Sequence, residues 1–97
     1  MTLEKMNKKR ELMTFIKLDI ERELKVISKV LNKQTHKLAA LNSRMDFIEN
    51  ARNYSGKDEA LNALQEMSDE ATVIINCLSE RQGFLQSMHK CSNKVEE

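Results

Sequence analysis

The sequence has no proline and no tryptophan, and its only glycines are Gly56 and Gly83. Without proline nothing breaks a helix from inside, and two isolated glycines leave few natural points of chain reversal. They also supply no glycine-rich phosphate loop. Aromatic residues are 4% of the 97, so no platform for stacked bases accompanies the basic residues. The longest wholly apolar run is Leu38-Ala39-Ala40-Leu41, with Val73-Ile74-Ile75 next, far short of the roughly 20 residues a membrane span needs. Cys77 and Cys91 are the only cysteines. On one straight helix they stand about 21 Å apart and cannot bridge. They are expected as reduced, half-buried thiols in a cytosolic protein, with an interchain bridge as the alternative. Neither they nor His36 and His89 have the spacing of a metal site. The carboxylates lie among Lys and Arg, where solvation is the default. No enzyme, cofactor, metal or small-molecule substrate is therefore expected.

What remains is the composition of long helices. Charged residues make up 32% and apolar residues 40% of the chain, arranged in heptads. In the first run Leu24, Leu31, Leu38 and Met45 take position a, and Met13, Ile20, Ile27, Gln34, Leu41 and Ile48 take position d. In the second, Leu64, Ala71, Leu78 and Leu85 take a, and Met67, Ile74, Arg81, Met88 and Val95 take d. Antiparallel coiled coils pair a with d, and folding at Gly56 pairs the two runs in one register. That register matches Ile48 with Leu64, Met45 with Met67, Leu41 with Ala71, Leu38 with Ile74, Ile27 with Leu85 and Leu24 with Met88.

The expected fold is all-α. A single domain over 1–97 forms an antiparallel two-helix coiled-coil hairpin with helix 2–50, turn 51–56 and helix 57–93. Thr2 is the expected first cap, Asn53 and Gly56 suit positive φ, and Ser55 with Asp58 resembles a capping box. Residues 1–53 carry twelve Lys/Arg against seven Asp/Glu, and residues 54–97 carry four against eight. A basic helix folded on an acidic one favours the hairpin over parallel self-pairing. Two polar residues interrupt the seam. Gln34 and Arg81 either meet diagonally through a hydrogen bond or Arg81 snorkels outward.

The hairpin is incomplete in two ways. The register leaves residues 1–14 unopposed, an overhang with Leu3, Met6, Leu12 and Met13 and with Phe15 and Ile16 at its root. Apolar residues also flank the seam: Ile16, Val26, Val30 and Phe47 on the first helix, and Leu61, Val73, Ile75, Cys77 and Phe84 on the second. An apolar face wider than one seam implies completion of a three- or four-helix bundle. The expected partner-binding residues are Leu3, Met6, Leu12, Met13, Phe15, Ile16, Val30, Ile75 and Phe84.

Tyr54-Ser55-Gly56 at the turn resembles the Trp-x-Gly turn of the small helical hairpins of type VII secretion, with Tyr in place of Trp. The C-terminal Tyr-x-x-x-Asp/Glu signal of that family is missing here. In size and build the chain is also similar to the coiled-coil chaperones and small accessory subunits of type III secretion. That resemblance implies a protein that holds aggregation-prone helical subunits by lending helices to a shared bundle. The expected function is a cytosolic, non-enzymatic adaptor or chaperone binding a helical protein client. A structural homodimer forming a four-helix bundle is the alternative. A third reading is a nucleic-acid-binding regulator using Lys5, Lys8, Lys9 and Arg10. No membrane insertion is expected, and no apolar leader precedes the basic cluster near the N-terminus.

Overall fold

The computed structural model describes residues 2–96, and the side chains of residues 2–91. Two helices account for nearly all of it. Helix α1 spans Leu3–Asn50, 48 residues, and helix α2 spans Lys57–Glu96, 40 residues. There is no strand among the described residues. Helix α2 runs three residues beyond the expected end. The chain divides into two compact units, Met1–Lys29 with Glu80–Glu97, and Val30–Ser79.

The helix ends are set by local chemistry. The Thr2 carbonyl accepts the Met6 N–H at 3.2 Å, and its Oγ1 accepts the Lys5 N–H at 3.4 Å. Thr2 is thus the N-cap of α1, as its hydroxyl predicts. Glu4 follows in the first turn, where a negative charge suits the helix dipole. The other end of α1 has no basic residue in its last turn. Lys57 supplies the cation from across the turn: its Nζ donates to the Glu49 carbonyl at 2.6 Å and to the Ala51 carbonyl at 3.4 Å. A lysine opening a helix opposes that helix's own dipole. Here it satisfies the carbonyls that α1 would otherwise leave bare.

Gly56 has φ of 68°, and its carbonyl accepts the Ala60 N–H at 2.9 Å. Gly56 is therefore the N-cap of α2, and Ser55 stands one residue too early for the expected capping box. No residue other than Gly56 has positive φ among those described, so Asn53 does not take the left-handed conformation. A side chain at Gly56 would carry the strain that region imposes on L-residues.

Burial confirms the heptad frame of α1. Ile20, Ile27, Leu41 and Ile48 are buried at d, and Leu24, Leu31, Leu38 and Met45 are half-buried at a. Helix α2 is different. Ala71 and Leu85 are buried and Leu64 and Leu78 half-buried, so that column holds. Its companion column is not the expected one. Met67, Ile74, Arg81 and Met88 are exposed, and Val95 lies outside the described side chains. The positions covered instead are Leu61, Ser68, Ile75, Gln82 and His89, with Ser68 only 6% exposed. In the correct frame these take a, and Leu64, Ala71, Leu78 and Leu85 take d.

Antiparallel a-to-d layering then gives a new register. In the Val30–Ser79 unit it matches Ile48 with Leu61, Met45 with Leu64, Leu41 with Ser68, Leu38 with Ala71, Gln34 with Ile75 and Leu31 with Leu78. In the other unit it matches Ile27 with Gln82, Leu24 with Leu85 and Ile20 with His89. The hydrogen bond between His89 Nε2 and Glu21 Oε1, 3.0 Å, fits that last layer. The pairings of Leu38 with Ile74, Met45 with Met67 and Leu24 with Met88 are therefore corrected, as are the other three expected layers.

The physical reason is the charge on Arg81. Both faces of α2 share the Leu64–Leu85 column, and the helix can roll about it either way. One roll buries Met67, Ile74 and Met88 together with Arg81; the other buries Leu61 and Ile75 with the neutral Ser68 and Gln82. Desolvating a guanidinium costs several kcal/mol, more than placing a serine and a glutamine in the seam. Arg81 lies outside, its Nε and Nη2 at 2.9 and 3.3 Å from the two carboxylate oxygens of Glu23. The snorkelling alternative is the one observed. Gln34 does not meet it: Gln34 Oε1 is buried and accepts no hydrogen bond.

That orphaned acceptor generates a prediction. Replacing Gln34 with Leu should stabilise the protein by about 1–2 kcal/mol, read as a higher midpoint in urea unfolding, because an unpaired buried polar group costs about 1–3 kcal/mol. Gly83 gives a second. A Cβ there would meet nothing within 4 Å, so Gly83→Ala should add about 1 kcal/mol of helix propensity without a clash.

Candidate partner-binding face

The corrected frame makes the two edges of the seam unlike each other. In an antiparallel pair the g positions of both helices share one edge, backed by c, and the e positions share the other, backed by b. The ion pairs of the Met1–Lys29 with Glu80–Glu97 unit mark the two edges. Glu23 and Arg81, both at g, form the two-pronged bond on one edge. Glu21 at e reaches His89 on the other.

In that unit the g/c edge is apolar around its ion pair. Leu12, Val26 and Phe84 at c are 61%, 59% and 56% exposed. Ile16 at g is half-buried and Met88 at g is exposed. The Arg81 guanidinium sits over the Phe84 ring, 5.5 Å from its centre, a cation–π contact. The e/b edge carries Thr14, Glu21, Lys25, Ser28, Gln86 and Lys90, with Leu18 at b, 46% exposed, as its one large exposed apolar side chain among the described residues. A shallow hollow of about 380 Å³ lies there, lined by Leu24, Gly83, Gln86, Ser87, His89 and Lys90. Its polar rim and open form give no enclosed pocket for a small molecule.

The Val30–Ser79 unit repeats the asymmetry. Its g/c edge carries Phe47, 66% exposed, with Met67 and Ile74, 42% and 40% exposed, and Val30, half-buried. Lys33, Lys37 and Arg44 line the same edge on α1 and Glu70 on α2. The opposite edge is made of Asn32, Thr35, Asn42, Asp46, Asn62, Gln65, Asp69, Thr72, Asn76 and Ser79, with Gln65 Nε2 donating to Asp69 at 2.9 Å. No comparable apolar group stands there.

Of the residues expected to bind a partner, Leu3, Met6, Leu12, Phe15 and Phe84 are exposed, Leu3 and Phe15 at 75% and 70%. Met13 and Ile16 are half-buried. Leu12, Ile16 and Phe84 share the g/c edge of one unit and Val30 takes g in the other, whereas Phe15 takes f. Ile75 is half-buried in the seam itself, with Leu61, so neither belongs to a flank. The residues that sequence analysis assigned to the seam, Met67, Ile74 and Met88, are the ones the edge gains. The signal that could have found them was Arg81 in their own column. Cys77 and Cys91, expected half-buried, are both exposed free thiols at c.

The hydrogen bond from His89 holds the Glu21 carboxyl below its usual range, helped by the charges of His89, Lys17 and Lys25 and opposed by its partial desolvation. Glu23 raises the Arg81 pKa above its ordinary value, which leaves a guanidinium charged at every working pH. No three His, Cys, Asp or Glu side chains converge to hold a metal among the described residues. No described helix is long and apolar enough to cross a membrane. No known family model matches the sequence, and no curated protein or solved structure shows significant similarity to it.

The lowered pKa of Glu21 fixes the sign of a pH effect. A carboxyl ionised more easily in the folded state stabilises the fold above its unfolded pKa, and that contribution fades as pH falls through the folded value. Acidification from about pH 6 to pH 3 should lower the melting temperature of the wild type more than that of Glu21→Gln. Circular-dichroism melts of the two proteins across that range check it.

Proposed function

We propose that this chain is a helical-hairpin interaction protein, an adaptor or chaperone in the cytosol that binds a helical client by bundle completion. The observation that carries the reading is the exposed apolar set of the N-terminal segment and the edge it joins. Leu3, Met6, Leu12 and Phe15 stand on one helix with their side chains in solvent: Leu12 lies at c on the g/c edge with Phe15 at the neighbouring f, and Leu3 and Met6 are a and d positions that the seam leaves uncovered. An amphipathic helix laid along such a surface gains roughly 1.5–3 kcal/mol for each large side chain it covers fully. Methionines at Met6, Met13 and Met88 let the surface adapt to different knobs. The likeness in build to type III secretion chaperones points to aggregation-prone helical subunits as the class of client.

The test is direct. Leu12→Asp and Phe15→Asp should each reduce client binding by about tenfold or more, measured on proteins co-purified from the native host. Both variants should keep the helicity of the wild type, because these side chains are solvated in the free chain. Loss of helicity equal to the loss of binding would assign them to the chain's own core and overturn the reading.

A further inference from the structure

We propose that the g/c edge of the Val30–Ser79 unit is the contact surface for a second copy of this chain. The two copies are related by a twofold axis parallel to the helices. This uses a different part of the chain from the client reading and does not depend on it. Three observations converge. Met67 and Ile74 are exposed on this edge, one heptad apart, and Val30 is only half-covered. The α1 side of the edge is basic, with Lys33, Lys37 and Arg44; the acids of that stretch, Asp46 and Glu49, sit at b and e on the other edge. The α2 side carries Glu70, with Glu66 beside it. None of Lys37, Arg44, Glu66 and Glu70 has an ion-pair partner among the described residues.

The edge is therefore self-complementary, cationic along one helix and anionic along the other. A twofold axis along the helices lays α1 of one copy antiparallel on α2 of the other, at the same height. Lys37 and Glu70 both adjoin the Leu38–Ala71 layer, so the axis sets each against the other across the interface. Arg44 comes level with Glu66 of the other copy. Met67 of each copy comes level with the stretch between Lys37 and Arg44 of the other, and Ile74 with the stretch between Val30 and Lys37, where they cover the aliphatic stems of those cations. Stacking α1 on α1 would instead oppose three cations to three cations, which like-charge repulsion disfavours. The product is a four-helix arrangement with the polar e/b edges outermost.

Sedimentation equilibrium of the full chain tests this. The wild type should form a reversible dimer, and Ile74→Asp should be monomeric with unchanged helicity. Lys37→Glu and Glu70→Lys should each weaken the dimer by about tenfold or more, and the two together should restore it. Both charge reversals lie on solvated positions, so they report even if Ile74→Asp misfolds. A chain that stays monomeric up to about 1 mM, or a dimer indifferent to the reversals, would overturn the proposal, as would dimerisation only with a different protein on this edge. Leu12→Asp should leave the dimer intact, so failure of self-association and failure of client binding register separately.

Discussion

Which side chains α2 exposes follows from how it is rolled about its Leu64, Ala71, Leu78 and Leu85 column. That roll is decided by one guanidinium. Arg81 in the seam would lose its water without a partner in reach; at the edge it takes both oxygens of Glu23 and lies over Phe84. The seam accepts Ser68, Gln82 and His89 as the lesser cost. Met67, Ile74 and Met88 are carried outward as a result. The exposed apolar groups of α2 are thus not leftovers of a poorly patterned sequence. They are displaced by an electrostatic choice made at Arg81, one to two heptads away along the same helix.

The same roll separates two chemistries that the heptad alone leaves mixed. One edge of each unit collects Thr, Ser, Asn, Gln and charged side chains that water satisfies, with Leu18 the one large exposed apolar exception among the described residues. The other collects Leu12, Val26 and Phe84 in one unit, and Phe47, Met67 and Ile74 in the other. An amphipathic hairpin ordinarily has its greasy side inside and its polar side everywhere else. A hairpin with one polar and one apolar flank has a direction in which association is favourable and a direction in which it is not. That asymmetry needs no enclosed pocket.

Much of this was legible beforehand. The α1 frame, the Thr2 cap and the reversal between Asn50 and Lys57 follow from residue types at fixed spacings. The face of α2 did not, because two columns compete there and hydrophobicity alone ranks them wrongly. Met67, Ile74 and Met88 outscore Ser68, Gln82 and His89 on any transfer scale. The deciding quantity is the desolvation of a single charge, together with a carboxylate 58 positions away in sequence that can receive it. Lys57 escaped for a similar reason: its value is visible only once the end of α1 is known to lack a cation of its own. The N-terminal segment was legible as apolar and spaced for a helix, and Leu3, Met6, Leu12 and Phe15 are exposed in the structure.

The clasp of Lys57 on the Glu49 and Ala51 carbonyls bears on how the chain acquires its shape. It closes a loop of only a few residues, so the entropy lost in forming it is small. Contacts this near in sequence form early, and those that follow can be added outward one heptad at a time. A nascent chain would thus have its initiation point ready as soon as the first turn of α2 has emerged, before most of α2 has been synthesised.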